Sequence, residues 1–208
     1  MKRRALYILL LVAAVAGVLF IVRSPLGTRV SSAGSIPPRG GTPMNRLVLK
    51  AEPIHLQTDP RWSESKLGGS GERFGSVGCA VCCVSMGLAQ FGINLRPDSL
   101  NGRLERAGGF TDQGWLKWEA VEDVTDGRAS IRVIDAPEFA HIDRALSDGE
   151  PVLAKVLISG RIAHWVLIVG KSGLDYLIKD PLGDGRTLNT LAEYRSDIHA
   201  IRIVSKEG

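Results

Sequence analysis

The three cysteines of this 208-residue chain, Cys79, Cys82 and Cys83, lie within five positions of one another. They follow a glycine-rich approach, GGSGERFGSVG, and begin a long apolar run that predicts a buried helix over residues 79–91. Cys79 then falls at the helix N-terminus, where free backbone N–H groups and the helix dipole stabilise a thiolate. Cys82 and Cys83 lie one turn further in, where a cysteine is by default a small, inert core residue.

Two other chemistries would use the same cysteines. Cys79 and Cys82 have the CxxC spacing, which serves redox chemistry when an apolar strand leads directly into it within a βαβ unit. A glycine-rich loop leads in here, which disfavours that role. A zinc site needs about four ligands, and the scattered histidines offer no paired spacing to supply the others. We therefore expect neither a metal nor a cofactor.

His164 is the histidine whose sequence context favours catalysis; the others, His55, His141 and His199, are interpreted as structural or surface groups. Asp180 ends the next apolar run. If the two runs pair as a hairpin around a three-residue loop at 171–173, with Gly173 in the left-handed position, His164 directly faces Asp180. An imidazole beside a carboxylate is the orienting pair that a general base requires. Cysteine, histidine, aspartate is also the chain order of papain-like hydrolases, in which a thiolate attacks a carbonyl.

The charge distribution argues against a nucleic-acid partner. Residues 1–47 hold seven basic residues and no acidic one, so the remaining 19 basic and 22 acidic residues give 48–208 a net charge of −3. That composition gives no support for a groove that binds phosphates. The VGKS at 169–172 looks like the end of a nucleotide-binding loop, but Trp165 stands where that motif needs glycine. We expect neither nucleic acid nor nucleotide.

The N-terminal segment predicts a membrane anchor. Residues 5–22, ALYILLLVAAVAGVLFIV, carry no charge and span about 27 Å as a helix, close to a bilayer core. MKRR precedes the segment and only Arg23 closely follows it, which predicts a cytoplasmic N-terminus and an extracytoplasmic domain. A cleaved signal peptide is the alternative, since an Ala-Val-Ala at 14–16 resembles a cleavage site, but the apolar run continues beyond it. The predicted division is an anchor at 1–23, a Ser/Gly/Pro-rich flexible linker at 24–47 and a domain at 48–208.

The remaining pattern predicts an α+β domain. Three apolar, β-rich runs indicate an antiparallel meander, on which the long apolar helix would pack. The predicted elements are the helices 79–91, 97–107, 115–121 and 137–147, a strand and loop at 48–57, a strand at 131–134, and the three runs 151–158, 164–170 and 175–180.

Taken together, five segments resemble the bacterial C39-like peptidase family, a papain-like group. They are LQTDPRW (56–62), GCAVCCVSMGLAQFG (78–92), LSDGEPVLAKV (146–156), HWVLIVG (164–170) and YLIKDPLG (176–183). The resemblance covers about residues 54–183. It implies a papain-like α+β fold whose buried N-terminal helix carries the nucleophile and packs on an antiparallel sheet. It implies Cys79 as nucleophile, His164 as base and Asp180 as orienting acid, acting on a peptide or protein.

The chain departs from the family at two points. Relatives usually carry small hydroxyl residues where this chain has Cys82 and Cys83, which we interpret as a core substitution. The best-known members of the family are parts of peptide-exporting transporters and cut leader peptides. Because this sequence shows neither an ATPase nor a multi-span segment, we do not assign it the leader-peptide substrate.

Papain-like enzymes also use a glutamine shortly before the nucleophile in the oxyanion hole. Gln57 is the candidate, and a surface glutamine at a strand end is the alternative.

The expected function is that of a membrane-tethered, extracytoplasmic thiol hydrolase, specifically a cysteine peptidase. Two alternatives stay open. One is acyl transfer, or amide hydrolysis on a cell-wall peptide, by the same triad. The other is a non-catalytic peptide-binding module that keeps the papain-like groove.

Overall fold

The computed structural model describes residues 34–50 and 52–207. The predicted anchor at 1–23 and residues 24–33 of the predicted linker lie outside them. In the described part, no helix has both the length and the apolar character needed to cross a membrane. The helices are α1 (Phe74–Val77), α2 (Cys79–Gln90), α3 (Pro97–Arg106), α4 (Ala120–Val124) and α5 (Phe139–Ser147), with 3-10 turns at Gly68–Ser70 and Leu191–Tyr194. The strands are β1 (Arg39–Val48), β2 (Ala129–Ile134), β3 (Val152–Ile158), β4 (Ile162–Lys179), β5 (Asn189–Thr190) and β6 (Ala200–Lys206).

An antiparallel sheet organises the domain. Its strands run in the order β1-β4-β3-β6-β2, and β5 pairs with β4. β3 and β4 pair from Val152↔Ile168 to Ile158↔Ile162, as the meander predicts. β6 was not predicted, and it joins β3 to β2. The predicted α+β class, with a helix packed on an antiparallel sheet, is confirmed.

Alternate side chains of β4 enter two different hydrophobic clusters, which explains its unbroken apolar run. Leu167 and Val169 belong to the cluster that contains residues of α2. Val166 and Ile168 belong to the cluster that contains residues of α5. Successive side chains of a strand point to opposite faces, so both faces of β4 are covered. In α2, every residue except Ala80 and Gln90 is buried, as predicted for a helix apolar on nearly all sides.

β4 is an 18-residue run of extended backbone that doubles back on itself. A straight strand would separate His164 from Asp180 by about 50 Å, yet their side chains are 2.9 Å apart. Within Ile162–Lys179 the left-handed conformation occurs only at Gly173, with φ +59°. The reversal therefore falls at the predicted hairpin loop, where glycine adopts this φ without strain.

The domain begins earlier in the chain than predicted. β1 overlaps the predicted flexible linker at residues 39–47 and pairs with β4 at Leu47↔Lys171 and Val48↔Gly170. The linker prediction is therefore wrong for these residues. Register irregularities between Arg39 and Leu47 interrupt the alternation that marks a strand in a sequence. A strand and a loop were predicted over 48–57; the strand ends at Val48, the last residue of β1, and 49–50 and 52–57 form no strand.

Two predicted helices begin later than expected. The helix predicted at 115–121 is α4, which starts at Ala120, and Trp115 lies in the preceding loop with 71% of its surface exposed. The helix predicted at 137–147 begins at Phe139, because Glu138 is its N-cap and forms a capping box with His141. Leu116 and Trp118, which precede α4, pack against the cluster that contains residues of α2 from this loop.

A buried network around one carboxylate fastens β1 to the rest of the domain. Lys171, whose surface is fully buried, places Nζ 2.6 Å from Asp143 Oδ1. Tyr176 Oη donates to the same oxygen at 2.9 Å. The Thr42 N–H on β1 donates to Asp143 Oδ2 at 2.8 Å. Residues of α5, β4 and β1 thus meet at Asp143.

Asp143→Ala is expected to lower the free energy of unfolding by about 3–5 kcal/mol, because the Lys171 ammonium stays buried without its counter-charge. Asp148→Ala, at the C-cap of the same helix, is the control. Its carboxylate lies 3.7 Å from Arg144, and the two side chains are 58% and 87% exposed, so the expected loss is below about 1 kcal/mol. Urea denaturation measures both variants, and equal losses would contradict the assigned role of Asp143.

Candidate active site

Cys79 is the first residue of α2 and is 8% exposed. Backbone N–H groups in the first turn of a helix have no acceptor within that helix. Gly78 precedes Cys79, and no larger residue fits at that position. A Cβ at Gly78 would lie 2.5 Å from two ring carbons of Phe74 and 2.6 Å from its carbonyl oxygen. Phe74, buried in α1, therefore packs directly against the backbone at Gly78 and determines where the thiol lies.

His164 connects Cys79 to Asp180. Its Nε2 lies 2.9 Å from Asp180 Oδ1, and the Cys79 side chain is close enough to the same imidazole to raise its pKa. Because Nε2 faces the carboxylate, Nδ1 is the nitrogen left for the thiol. His164 is 2% exposed and Asp180 is 8% exposed. The structure thus brings these three sequence-predicted residues together in one buried cluster.

Opposing effects determine the charges of His164 and Asp180. Burial lowers the pKa of His164, but hydrogen bonds to Asp180 and Cys79, with their charges, outweigh it and raise that pKa to about 9. Burial raises the pKa of Asp180, but hydrogen bonds from His164, Tyr194 and the backbone N–H of Leu182 hold it below its ordinary value. At neutral pH the imidazole is therefore protonated beside an ionised carboxylate.

Tyr194 is a member of this cluster that the sequence did not predict. Its hydroxyl donates to Asp180 Oδ2, and its ring lies 5.7 Å from that of His164, centroid to centroid. Burial and the neighbouring carboxylate raise the pKa of Tyr194, so the hydroxyl stays a donor. A capping box between Thr190 and Glu193 holds the 3-10 turn that carries it. The T-x-x-E spacing was a visible signal for that turn, but not for the contact with Asp180.

Cys82 and Cys83 lie in the environment predicted for inert core thiols. Both are fully buried. Burial, followed by the charge of Cys79, raises the pKa of each thiol well above its ordinary value. Cys83 Sγ donates to the backbone oxygen of Trp165 at 3.3 Å, which ties α2 to β4 one residue from His164. The three cysteines form no disulfide.

Gln57 is 3% exposed, so the alternative of a surface glutamine is wrong. Its Nε2 donates to the Gly75 carbonyl at 2.8 Å, and its backbone N–H donates to the Pro181 carbonyl at 2.9 Å. It therefore lies between the segment that leads to Cys79 and the residue that follows Asp180. Its Oε1 is buried without a hydrogen-bond partner among the described residues.

His55 and His141 make structural contacts away from the triad. The ring of His55 packs edge-on against Trp62, with centroids 5.7 Å apart, and burial followed by the charge of Arg61 lowers its pKa. His141 Nδ1 accepts from the backbone N–H of Glu138 in the α5 capping box. In residues 34–50 and 52–207, no three His, Cys, Asp or Glu side chains cluster as a metal site requires.

Comparison with known proteins identifies a shared fold. The sequence matches no protein-family profile and no curated protein. A solved structure of a candidate C39-like peptidase from Bacillus anthracis superposes with a TM-score of 0.50 at 13% sequence identity. The match covers 79% of this chain and 100% of that chain. At this identity the likeness concerns the fold alone.

Proposed function

We propose that this protein is a cysteine peptidase in which Cys79 is the nucleophile, His164 the acid–base group and Asp180 the group that orients it. One observation carries the proposal: a buried imidazole is hydrogen-bonded to a carboxylate and lies beside a thiol at a helix N-terminus that raises its pKa. The fold shared with a candidate C39-like peptidase supports the same assignment, as does the papain-like order of the three residues along the chain.

The first half of the reaction forms a thioester. An imidazolium beside a thiol favours the thiolate, and Cys79 Sγ attacks the carbonyl carbon of the scissile peptide bond. The C–S bond forms and the carbonyl electron pair moves to oxygen. As the tetrahedral intermediate collapses, His164 Nδ1–H gives its proton to the leaving nitrogen. The C–N bond breaks and the amine product departs. Asp180 holds the ring in the orientation this transfer needs.

The second half hydrolyses the thioester. Water attacks the acyl carbon while His164 Nδ1 accepts its proton, and collapse releases the carboxylic acid and restores the thiolate and imidazolium. Two donors are available for the oxyanion in both halves. One is the backbone N–H of Cys79. The other is the second N–H of the Gln57 amide, whose first N–H is held by the Gly75 carbonyl.

Oxygen-18 water tests the reaction type. The purified full-length protein is expected to cleave members of a mixed peptide pool and to leave one oxygen-18 atom in each new C-terminus, as mass spectrometry would show. Products joined to an added amine, without oxygen-18, would instead assign an acyl transferase. Cleavage confined to cell-wall peptides would assign an amidase. A pool left unchanged by the wild type, or cleaved equally by Cys79→Ala, would contradict the proposal.

We infer in addition that the domain is tethered to the outer side of the cytoplasmic membrane by residues 5–22. The support is the uncharged segment and the excess of basic residues before it. A reporter fused to the C-terminus should show the activity of an exported protein and remain in the membrane fraction. A cytoplasmic reporter would contradict the orientation, and a soluble, N-terminally trimmed product would mean that the segment is a signal peptide.

A further inference from the structure

The carboxylate of Asp180 has a hydrogen-bond donor on each of its two oxygens. His164 Nε2 lies 2.9 Å from Oδ1, and the backbone N–H of Leu182 donates to the same oxygen at 2.8 Å. On Oδ2 the donor is Tyr194 Oη, which is the only partner of that oxygen among the described residues. A carboxylate turns easily about the bond that joins it to Cβ. The donor on the second oxygen therefore limits the rotation of the group that orients the imidazole.

Tyr194 contacts His164 as well as Asp180. Its half-buried ring lies 5.7 Å from the imidazole, centroid to centroid, at an interplanar angle of 36°. Asp180 is only 8% exposed, so water has little access to replace the tyrosine hydroxyl on Oδ2. Leaving a buried acceptor without a donor is unfavourable, and more so when the acceptor is charged. The hydroxyl and the ring of one side chain thus act on both members of the ion pair.

The backbone that carries Tyr194 is fastened to the strand that leads to Asp180. β5 pairs with β4 at Leu177↔Thr190, three positions before the carboxylate. Thr190 is also the N-cap of the 3-10 turn that ends at Tyr194, and its Oγ1 donates to Glu193 at 2.9 Å. The turn is therefore fixed relative to the end of β4, which keeps the tyrosine hydroxyl within reach of Oδ2.

We propose that Tyr194 is a positioning residue of the candidate active site, because its hydroxyl fixes the Asp180 carboxylate and, through it, the ring of His164. The inference rests on the proposed peptidase function and adds a side chain to the machinery of that reaction. Rotation of the carboxylate would turn the imidazole with it and move Nδ1–H away from the leaving nitrogen. Small errors in the orientation of reacting groups lower the rate by large factors.

The test is Tyr194→Phe, which removes the hydroxyl and keeps the ring. It compares two substrates with the same acyl group, a peptide that the full-length wild type cleaves and the p-nitrophenyl ester of that peptide's acyl portion. The leaving nitrogen of the peptide needs a proton from His164, whereas p-nitrophenolate is a weak base and leaves without one. In the variant, kcat/KM should fall about ten-fold for the peptide and less than about two-fold for the ester.

Tyr176→Phe is the matched control. Tyr176 is fully buried, and its hydroxyl also donates to a buried carboxylate, Oδ1 of Asp143, at 2.9 Å. Losing that hydroxyl weakens the fold without touching the triad, so both substrates should change by the same factor. The ratio of peptide to ester kcat/KM should therefore stay at the wild-type value, and urea denaturation shows how much stability each variant has lost.

The outcomes separate the inference from the function on which it rests. If Tyr194→Phe keeps the wild-type ratio, with or without a loss of stability, the hydroxyl does not position the proton donor and the inference is wrong, while the peptidase stands. The same conclusion follows if Tyr176→Phe lowers the ratio equally, because loosening of the fold would then explain both variants. A wild type that cleaves no peptide would overturn the proposed function and the inference together.

Discussion

Cys79→Ala is expected to lower kcat/KM for peptide hydrolysis by about 10⁵-fold or more, the scale on which a catalytic triad loses rate with its nucleophile. Cys82→Ala and Cys83→Ala should retain most of the activity. The difference follows from position, because Cys79 lies at the helix N-terminus in contact with His164. The other two thiols are fully buried, and burial raises the pKa of each. Initial rates of the three purified variants, beside the wild type, measure the effect.

Alkylation provides an independent check that does not depend on finding a substrate. Iodoacetamide at neutral pH should modify Cys79 first in the folded wild type, as peptide mapping would show. Cys82 and Cys83 should react only after unfolding, since neither has exposed surface. Equal losses of activity in Cys79→Ala and Cys82→Ala, together with a reversible disulfide between them, would indicate a redox pair and overturn the hydrolase.

Local sequence signals were sufficient for the centre of the candidate site. The apolar run after Gly78 predicted a buried helix, and α2 indeed begins at Cys79. The hairpin rule brought His164 opposite Asp180 because a three-residue loop with glycine at its third position determines the register. Both inferences use interactions between residues that are close in sequence or separated by one tight turn. That is why they could be made without knowledge of the tertiary structure.

Tyr194 and β1 could not be predicted in the same way, because tertiary contacts determine both. The hydroxyl of Tyr194 donates to Asp180, 14 positions earlier in the chain, and no periodic pattern in the sequence encodes that contact. β1 contains Gly40, Gly41 and Pro43, residues that favour turns and are depleted in strands. Its partners lie on β4, more than 100 positions later. The buried Asp143, which accepts the Thr42 N–H, helps to stabilise a segment whose own composition resembles a linker.

The second large effect concerns pH. Acylation needs the imidazolium as proton donor, so kcat/KM should fall as pH rises through about 9, the pKa of His164. In Asp180→Asn the carboxylate charge is gone, the imidazolium loses stabilisation, and the alkaline limb should move down by about one pH unit or more. The free energy of unfolding should fall as pH rises over the same range. The folded pKa of His164 lies above its ordinary 6.5, so its contribution to stability is complete below about 6.5 and is lost as pH rises through about 9.

The alkylation rate distinguishes loss of the proton donor from loss of the nucleophile. Above pH 9 a thiolate remains reactive toward iodoacetamide, which needs no proton from His164, so alkylation should stay fast while kcat/KM falls. Asp175→Asn is the control for Asp180→Asn. Asp175 lies on β4, and its carboxylate pairs with the exposed Arg39 of β1 at 3.0 Å, so the alkaline limb should stay in place. If the limb has the same midpoint in the wild type, Asp180→Asn and Asp175→Asn, Asp180 does not determine the protonation of His164, and it is not the orienting acid.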